Sequence, residues 1–178
     1  MTSKALFLDR DGVINVDHGY ASRPDEIDFI DDVFALCTRF QQQGYLILVV
    51  TNQSGIGRGY YSEEDFLLLS KWMQSEFATR GITIDDFFYC PHHPLKAKGD
   101  YLQQCHCRKP NPGMFEQAKQ KYNIDMAKSF MIGDNKTDML AAARAGVTKR
   151  FLYTTSEIAD DTNIGFECID SLNRVSPA

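Results

Sequence analysis

Five short apolar runs, each stopping on a polar or small residue, restrict what this chain can fold into. They are "KALFL" (4–8), "YLILVV" (45–50), "DFFYC" (86–90), "SFMIGD" (129–134) and "KRFLY" (149–153). Near-continuous apolar runs of this length mark strands covered on both faces, as in a parallel sheet. Between them the period changes. "DDVFALCTRFQQQ" (31–43) sets Val33, Leu36, Cys37 and Phe40 at helical spacing, with Gly44 as the stop. "SEEDFLLLSKWMQSEFATRG" (62–81) opens on Ser62 as N-cap, with carboxylates in its first turn, and closes at Gly81. "NPGMFEQAKQKYN" (111–123) reads as a helix with Pro112 at its first position, and "KTDMLAAARAG" (136–146) as one ending at Gly146. "FECI" (166–169) adds one more short strand. Strand–helix alternation implies right-handed βαβ units, hence an α/β fold: a Rossmann-like parallel sheet with helices on both faces.

Length and charge narrow the function. At 178 residues, with no repeat or linker, one domain over 1–178 is expected. Net charge is −5 and no long basic run occurs, which points away from nucleic acid. No apolar stretch approaches the ~20 residues of a membrane helix, and "MTSKALFLDRDG" is no secretory leader, so a cytoplasmic protein is expected. No coiled-coil pattern suggests more than a monomer. In a reducing compartment, clustered cysteines are metal ligands or catalytic groups more often than disulfides.

In open α/β sheets, ligands bind beyond the carboxyl ends of the strands. The residues there are Asp9 and Asp11, Thr51 and Asn52, Cys90 and His92, and Asp134. Four sets distant in sequence converge on one edge, which predicts an active site.

By itself "DRDG" (9–12) is a weak signal, since EF-hand loops contain similar patterns. Those loops need Glu at their twelfth position, where this chain has Tyr20. Joined by "VVTNQSG" (49–55), "RKP" (108–110) and "IGDNKTD" (132–138), it resembles, in order and spacing, the four motifs of the haloacid dehalogenase superfamily of phosphotransferases. The resemblance implies that Asp9 attacks phosphorus and that Asp11 serves first as general acid, then as base. It implies Mg²⁺ held by the Asp9 side chain, the Asp11 main-chain carbonyl and the Asp134 side chain. Thr51, the Asn52 N–H and Lys109 would hold the phosphoryl oxygens. Asp138 would cap its helix or order a metal-bound water. No interval holds a cap domain, so loops alone should rim the site.

"CPHHPLKAKGDYLQQCHC" (90–107) brackets a loop with Cys-x-His and Cys-x-Cys. Such paired spacing suits zinc, with Cys90, His92, Cys105 and Cys107 as a closed structural set. His93 is the competitor of His92, and His106 is a more remote one. Because Arg108 and Lys109 follow Cys107, clamping it would fix the lysine. Within the superfamily, the DHGY stretch and this zinc loop resemble a minimal-cap group acting on small phosphorylated metabolites. That resemblance implies a sugar-bisphosphate substrate bound by Asp17, His18, Gly19, Tyr20, Thr51, Asn52, Gln53, Ser54, Arg108, Lys109 and Asn135. Histidinol phosphate is the alternative. Arg23 and Arg58 are further candidate phosphate contacts. Members of that group often carry lysine where this chain has Asn135, so either Lys136 substitutes or one phosphate contact is weaker.

Overall fold

A computed structural model describes residues 1–156 and 163–177. Six parallel strands form one sheet: β1 (Lys4–Leu8), β2 (Tyr45–Asn52), β3 (Asp86–Cys90), β4 (Phe130–Gly133), β5 (Lys149–Tyr153) and β6 (Glu167–Ile169), in the order β3-β2-β1-β4-β5-β6. The order reverses at β1, so the crevice above its carboxyl end is where a ligand would bind. Alternate residues of the central strands feed two cores. Leu6, Leu8, Ile47 and Val49 meet α1 (Asp32–Gln42) and α3 (Glu63–Ala78) through Leu36, Phe40, Met73 and Phe77. Ala5, Phe7, Leu48 and Val50 meet α4 (Gly113–Tyr122) and α5 (Lys136–Arg144) through Met114, Phe115, Met139 and Ala142. Both faces are apolar because both are covered, as the unbroken runs require.

Several boundaries differ from the sequence reading. β2 runs on through Thr51 and Asn52, whose Cα atoms register with Tyr89 and Cys90 of β3. Pairing across the sheet carries the strand past its apolar run. Pro112 is the N-cap of α4 rather than its first helical residue. α3 ends at Ala78, and Thr79 to Gly81 form a turn. A five-residue helix, α2 (Ser54–Arg58), has no sequence signature, since two of its residues are glycines. It forms where the backbone must run close to its neighbours: a Cβ on Gly57 would lie 2.5 Å from the Pro91 carbonyl.

The absence of a cap domain is borne out among the described residues. Between Asp11 and β2 lie a 3₁₀ turn (Pro24–Glu26), one antiparallel bridge, Asn15 to Phe29, and α1. Between β2 and Lys109 lie α2, α3, β3 and the Cys/His loop.

Candidate active site and Cys/His cluster

A cavity of about 390 Å³ opens at the carboxyl ends of β1, β2 and β4, and its lining includes Asp9, Asp11, Thr51, Asn52, Gln53, Ser54, Lys109 and Asp134. Asp17, Gly19, Tyr20 and Asn135 line it too. His18 does not: its Nε2 pairs with Asp28 at 2.6 Å on the exposed outer side of the loop. Arg108 lies just outside, in an adjoining depression that shares Lys109 as a wall, and its Nη1 donates to the His92 carbonyl at 3.2 Å. Lys136 is exposed and outside the lining, while Asn135 caps α5 through Thr137 N–H at 3.0 Å. Lys136 therefore does not reach into the cavity in place of the missing lysine.

Asp9 is fixed by β1, and its N–H donates to the Ile132 carbonyl of β4 at 3.1 Å. Lys109 is 3% exposed, and its Nζ sits 3.1 Å from Asp9 Oδ1, 2.6 Å from Asp138 Oδ1 and 2.9 Å from the Val50 carbonyl. Its main chain is gripped by the Asn52 amide, which accepts from Lys109 N–H at 3.0 Å and donates to Lys109 O at 3.1 Å. Asp138, absent from the sequence-derived site set, is thus the buried counter-ion of Lys109. It also closes the α5 capping box, accepting from Asn135 N–H at 3.1 Å. Its place in that helix's first turn signalled the cap; only the fold reveals the ion pair.

Carboxylate oxygens of Asp9, Asp134 and Asp138 come within 4.8 Å of one another. Burial, then the Asp138 charge, pushes the Asp9 pKa well above the ordinary range, against the pull of Lys109. The same two causes raise Asp134 to about 6. For Lys109, burial opposes the charge, but Asp138 and Asp9 outweigh it and lift its pKa. Three crowded carboxylates with one lysine leave a site that a hard divalent cation with oxygen ligands fits. The Asp11 side chain is not in this cluster. Gly12 (φ +91°) lets the turn lie against Asp134, where a Cβ would fall 2.0 Å from Oδ2.

Asp11 is held by Arg10 and Asn15, which the sequence reading overlooked, and by Gln53, which it placed against the substrate. Arg10 forks onto it at 3.0–3.1 Å, and Asn15 Nδ2 donates to it at 3.0 Å. Gln53 Nε2 lies 3.3 Å from Asp11 Oδ2 and donates to Thr51 Oγ1 at 2.8 Å, while its Oε1 accepts from Tyr61 OH. An arginine between two motif aspartates was the only available signal.

In the loop after β3, the Sγ atoms of Cys90, Cys105 and Cys107 and a ring nitrogen of His92 all lie within 4.8 Å of one another. The sulfurs are 2.9–3.4 Å apart, too far for a disulfide, and His92 Nδ1 is 3.5 Å from Cys107 and 3.7 Å from Cys90. Hydrogen bonding with Cys90, then with Cys105, holds the Cys107 thiol down to about 5, against burial. His93 turns elsewhere, its Nδ1 accepting from the N–H groups of Leu95 and Lys96 at 3.1 and 3.0 Å. His106 pairs with Glu116 at 2.6 Å. Burial, then the charges of Arg108, Arg58 and Lys96, hold the His93 pKa low. Arg58 and Lys96 line one depression and Arg108 another, and none of the three forms an ion pair among the described residues.

A family model described as HAD-hydrolase-like matches residues 106–165. A D-glycero-β-D-manno-heptose-1,7-bisphosphate 7-phosphatase of Vibrio cholerae is 50% identical over 157 residues, 88% of this chain and 84% of that one. The chain belongs to this family of HAD-like phosphatases. The crystal structure of a D,D-heptose 1,7-bisphosphate phosphatase from B. bronchiseptica, complexed with magnesium and phosphate, matches with a TM-score of 0.81 and 30% identity, covering 95% of this chain and 93% of that one. A HAD-like phosphatase from Mesorhizobium loti matches with a TM-score of 0.89 and 32% identity, covering 97% and 84%. These matches agree with the fold and the phosphatase chemistry expected from the four motifs. Among the described residues, no helix is long and apolar enough to cross a membrane.

Proposed function

We propose that this chain releases the C7 phosphate of D-glycero-D-manno-heptose 1,7-bisphosphate, giving heptose 1-phosphate. The carrying observation is a cavity whose floor joins Asp9 to a buried lysine, with two cations beside it in a chain of net charge −5: Arg58, which lies against the lining residues Tyr20 and Ser54, and Arg108, in the adjoining depression. Neither arginine forms an ion pair among the described residues. The floor suits phosphoryl transfer, and the arginines beside it suit a second phosphate. Relatives bearing that enzyme name support the reading.

Asp9 attacks phosphorus, and the bond to the sugar oxygen breaks as Asp11 gives that oxygen a proton. Water then attacks the aspartyl-phosphate, losing its proton to Asp11; the bond from Asp9 to phosphorus breaks, which frees the Asp9 carboxylate and releases inorganic phosphate. Thr51, Asn52 N–H and Lys109 steady the phosphoryl oxygens. Asp9, Asp134 and the Asp11 carbonyl would hold Mg²⁺, which would supply charge neutralisation. Cys90, His92, Cys105 and Cys107 would hold zinc in a structural role, tying down the loop that carries Arg108 and Lys109. His18 fixes the loop through Asp28, and Asp17, Gly19 and Tyr20 border the sugar. The protein is read as one domain, a monomer, and cytoplasmic.

The test is phosphate release with Mg²⁺ from both anomers of the heptose bisphosphate and from histidinol phosphate. A kcat/KM at least ~100-fold higher for one heptose anomer than for histidinol phosphate is expected, since histidinol phosphate offers no second phosphate to Arg58 and Arg108. Equal or better turnover of histidinol phosphate would reject the reading.

A further inference from the structure

Arg10 heads the fully buried large side chains at 1% exposure, yet phosphoryl transfer assigns it nothing. Its Cζ lies 5.9 Å from the centroid of Phe66, and its Nη1 has no hydrogen-bond partner among the described residues. Burying a guanidinium is costly, and a fold retains one where its planar fork does something a lysine cannot. Here the fork is spent on Asp11. Nε and Nη2 donate to Oδ1 at 3.1 and 3.0 Å, and Nη2 also reaches Oδ2 at 3.1 Å and the Ala21 carbonyl at 2.9 Å.

The two oxygens of Asp11 are not treated alike. Oδ1 takes both Arg10 nitrogens and Asn15 Nδ2, three donors at 3.0–3.1 Å. Oδ2 takes one arginine nitrogen at 3.1 Å and the Gln53 amide at 3.3 Å. Gln53 is itself fixed on its far side by Tyr61 OH and bridges to Thr51 Oγ1.

We propose that Arg10 is a positioning residue for the acid–base step, anchoring Asp11 by Oδ1 so that Oδ2 is the atom that moves the proton. This rests on the acid–base role given to Asp11 above. In the first step the proton leaves Oδ2 for the sugar oxygen as the phosphorus–oxygen bond breaks. In the second, Oδ2 takes a proton from the water that attacks the aspartyl-phosphate. A carboxyl free to rotate would offer either oxygen in many directions and lose the alignment that proton transfer requires.

The experiment uses leaving groups. A 4-nitrophenolate departs without a proton, whereas an alkoxide needs one. kcat/KM reports steps only up to the first transfer, so it isolates the acid role. In Arg10→Lys, which keeps the charge but not the fork, kcat/KM for alkyl phosphates should fall by about 10-fold or more, out of the ~100-fold or larger factor general acids supply. 4-Nitrophenyl phosphate should lose less than about threefold, and the dependence on leaving-group basicity should steepen. Asn15→Ala, which removes one donor from Oδ1, should give a smaller loss with the same selectivity, and it carries the test should Arg10→Lys not fold. Equal losses for both leaving-group classes, tracking the melting temperature, would overturn the proposal and leave Arg10 a structural residue. The aryl series needs no sugar, so an error in the proposed substrate leaves this comparison intact.

Discussion

Replacing Lys109 by Met separates its two duties. Nζ is within 3.1 Å of Asp9 and 2.6 Å of Asp138, and Lys109 and Asp138 are 3% and 1% exposed. Methionine fills similar space but leaves Asp138 buried and uncompensated. Removing one partner of such a pair costs about 3–5 kcal/mol. That is a large part of the ~5–15 kcal/mol that holds a domain together. In a chain of this size it corresponds to a fall of roughly 6–20 °C in melting temperature. Loss of a cation aimed at the phosphoryl oxygens should cut kcat by about 100-fold or more. The double variant Lys109→Met/Asp138→Asn distinguishes the effects. Neutralising Asp138 removes the stranded charge, so most of the stability should return while activity stays lost. Thermal melts and phosphate release on the four proteins of this cycle provide the readout. A single variant melting within about 2 °C of wild type, or a double variant no more stable than the single, would refute the counter-ion argument.

Asp9→Asn should abolish Mg²⁺-dependent phosphate release while the circular dichroism spectrum and melting temperature stay close to wild type; retained activity would exclude a covalent route through Asp9. Cys107→Ala should lose the bound zinc detected by elemental analysis and melt at lower temperature, whereas wild-type protein purified without chelator and free of zinc would remove the metal from the loop. The carboxylate cluster sets a pH trend in protein without Mg²⁺. The folded pKa of Asp134, about 6, and that of Asp9 both lie above their ordinary range, so the folded state binds more protons than the unfolded one. Stability from these groups is full below the ordinary carboxylate range of about 4 and is lost as pH rises through about 6. Added Mg²⁺ should offset that loss at neutral pH, and melts at pH 5 and 7.5, each with and without Mg²⁺, would register no difference if the crowding were immaterial.

Much of this was legible from local pattern. The five apolar runs produced a parallel sheet because strands buried on both faces leave no polar alternation to mimic anything else. Ser62 capped its helix, with Asp65 closing the box, because those contacts span three residues. The Cys-x-His and Cys-x-Cys pairs converge because each sits at a fixed point: Cys90 ends β3, while Cys105 and Cys107 lie just ahead of α4. Helix α2 was hidden because its glycines are poor helix formers, and contacts from Pro91 and Tyr61 decide its shape.

The Cys/His loop and the DxD motif mark where sequence stops and tertiary structure begins. Spacing favoured His92 over His93 at one position but could not show the contact that separates them. The turn through Leu95 and Lys96 provides it, because their N–H groups occupy His93 Nδ1 and leave only His92 facing the sulfurs. The motif placed Asp9, Asp11 and Lys109 at one edge, and the sheet did bring them there. Their partners came from elsewhere in the chain: Asp138 for Lys109, and Asn15 and Gln53, with the adjacent Arg10, for Asp11. Residue type and order fix which groups a chain offers. Which of them meet inside a low-dielectric interior, and so which charges and hydrogen bonds must balance, is decided only when the sheet closes over them.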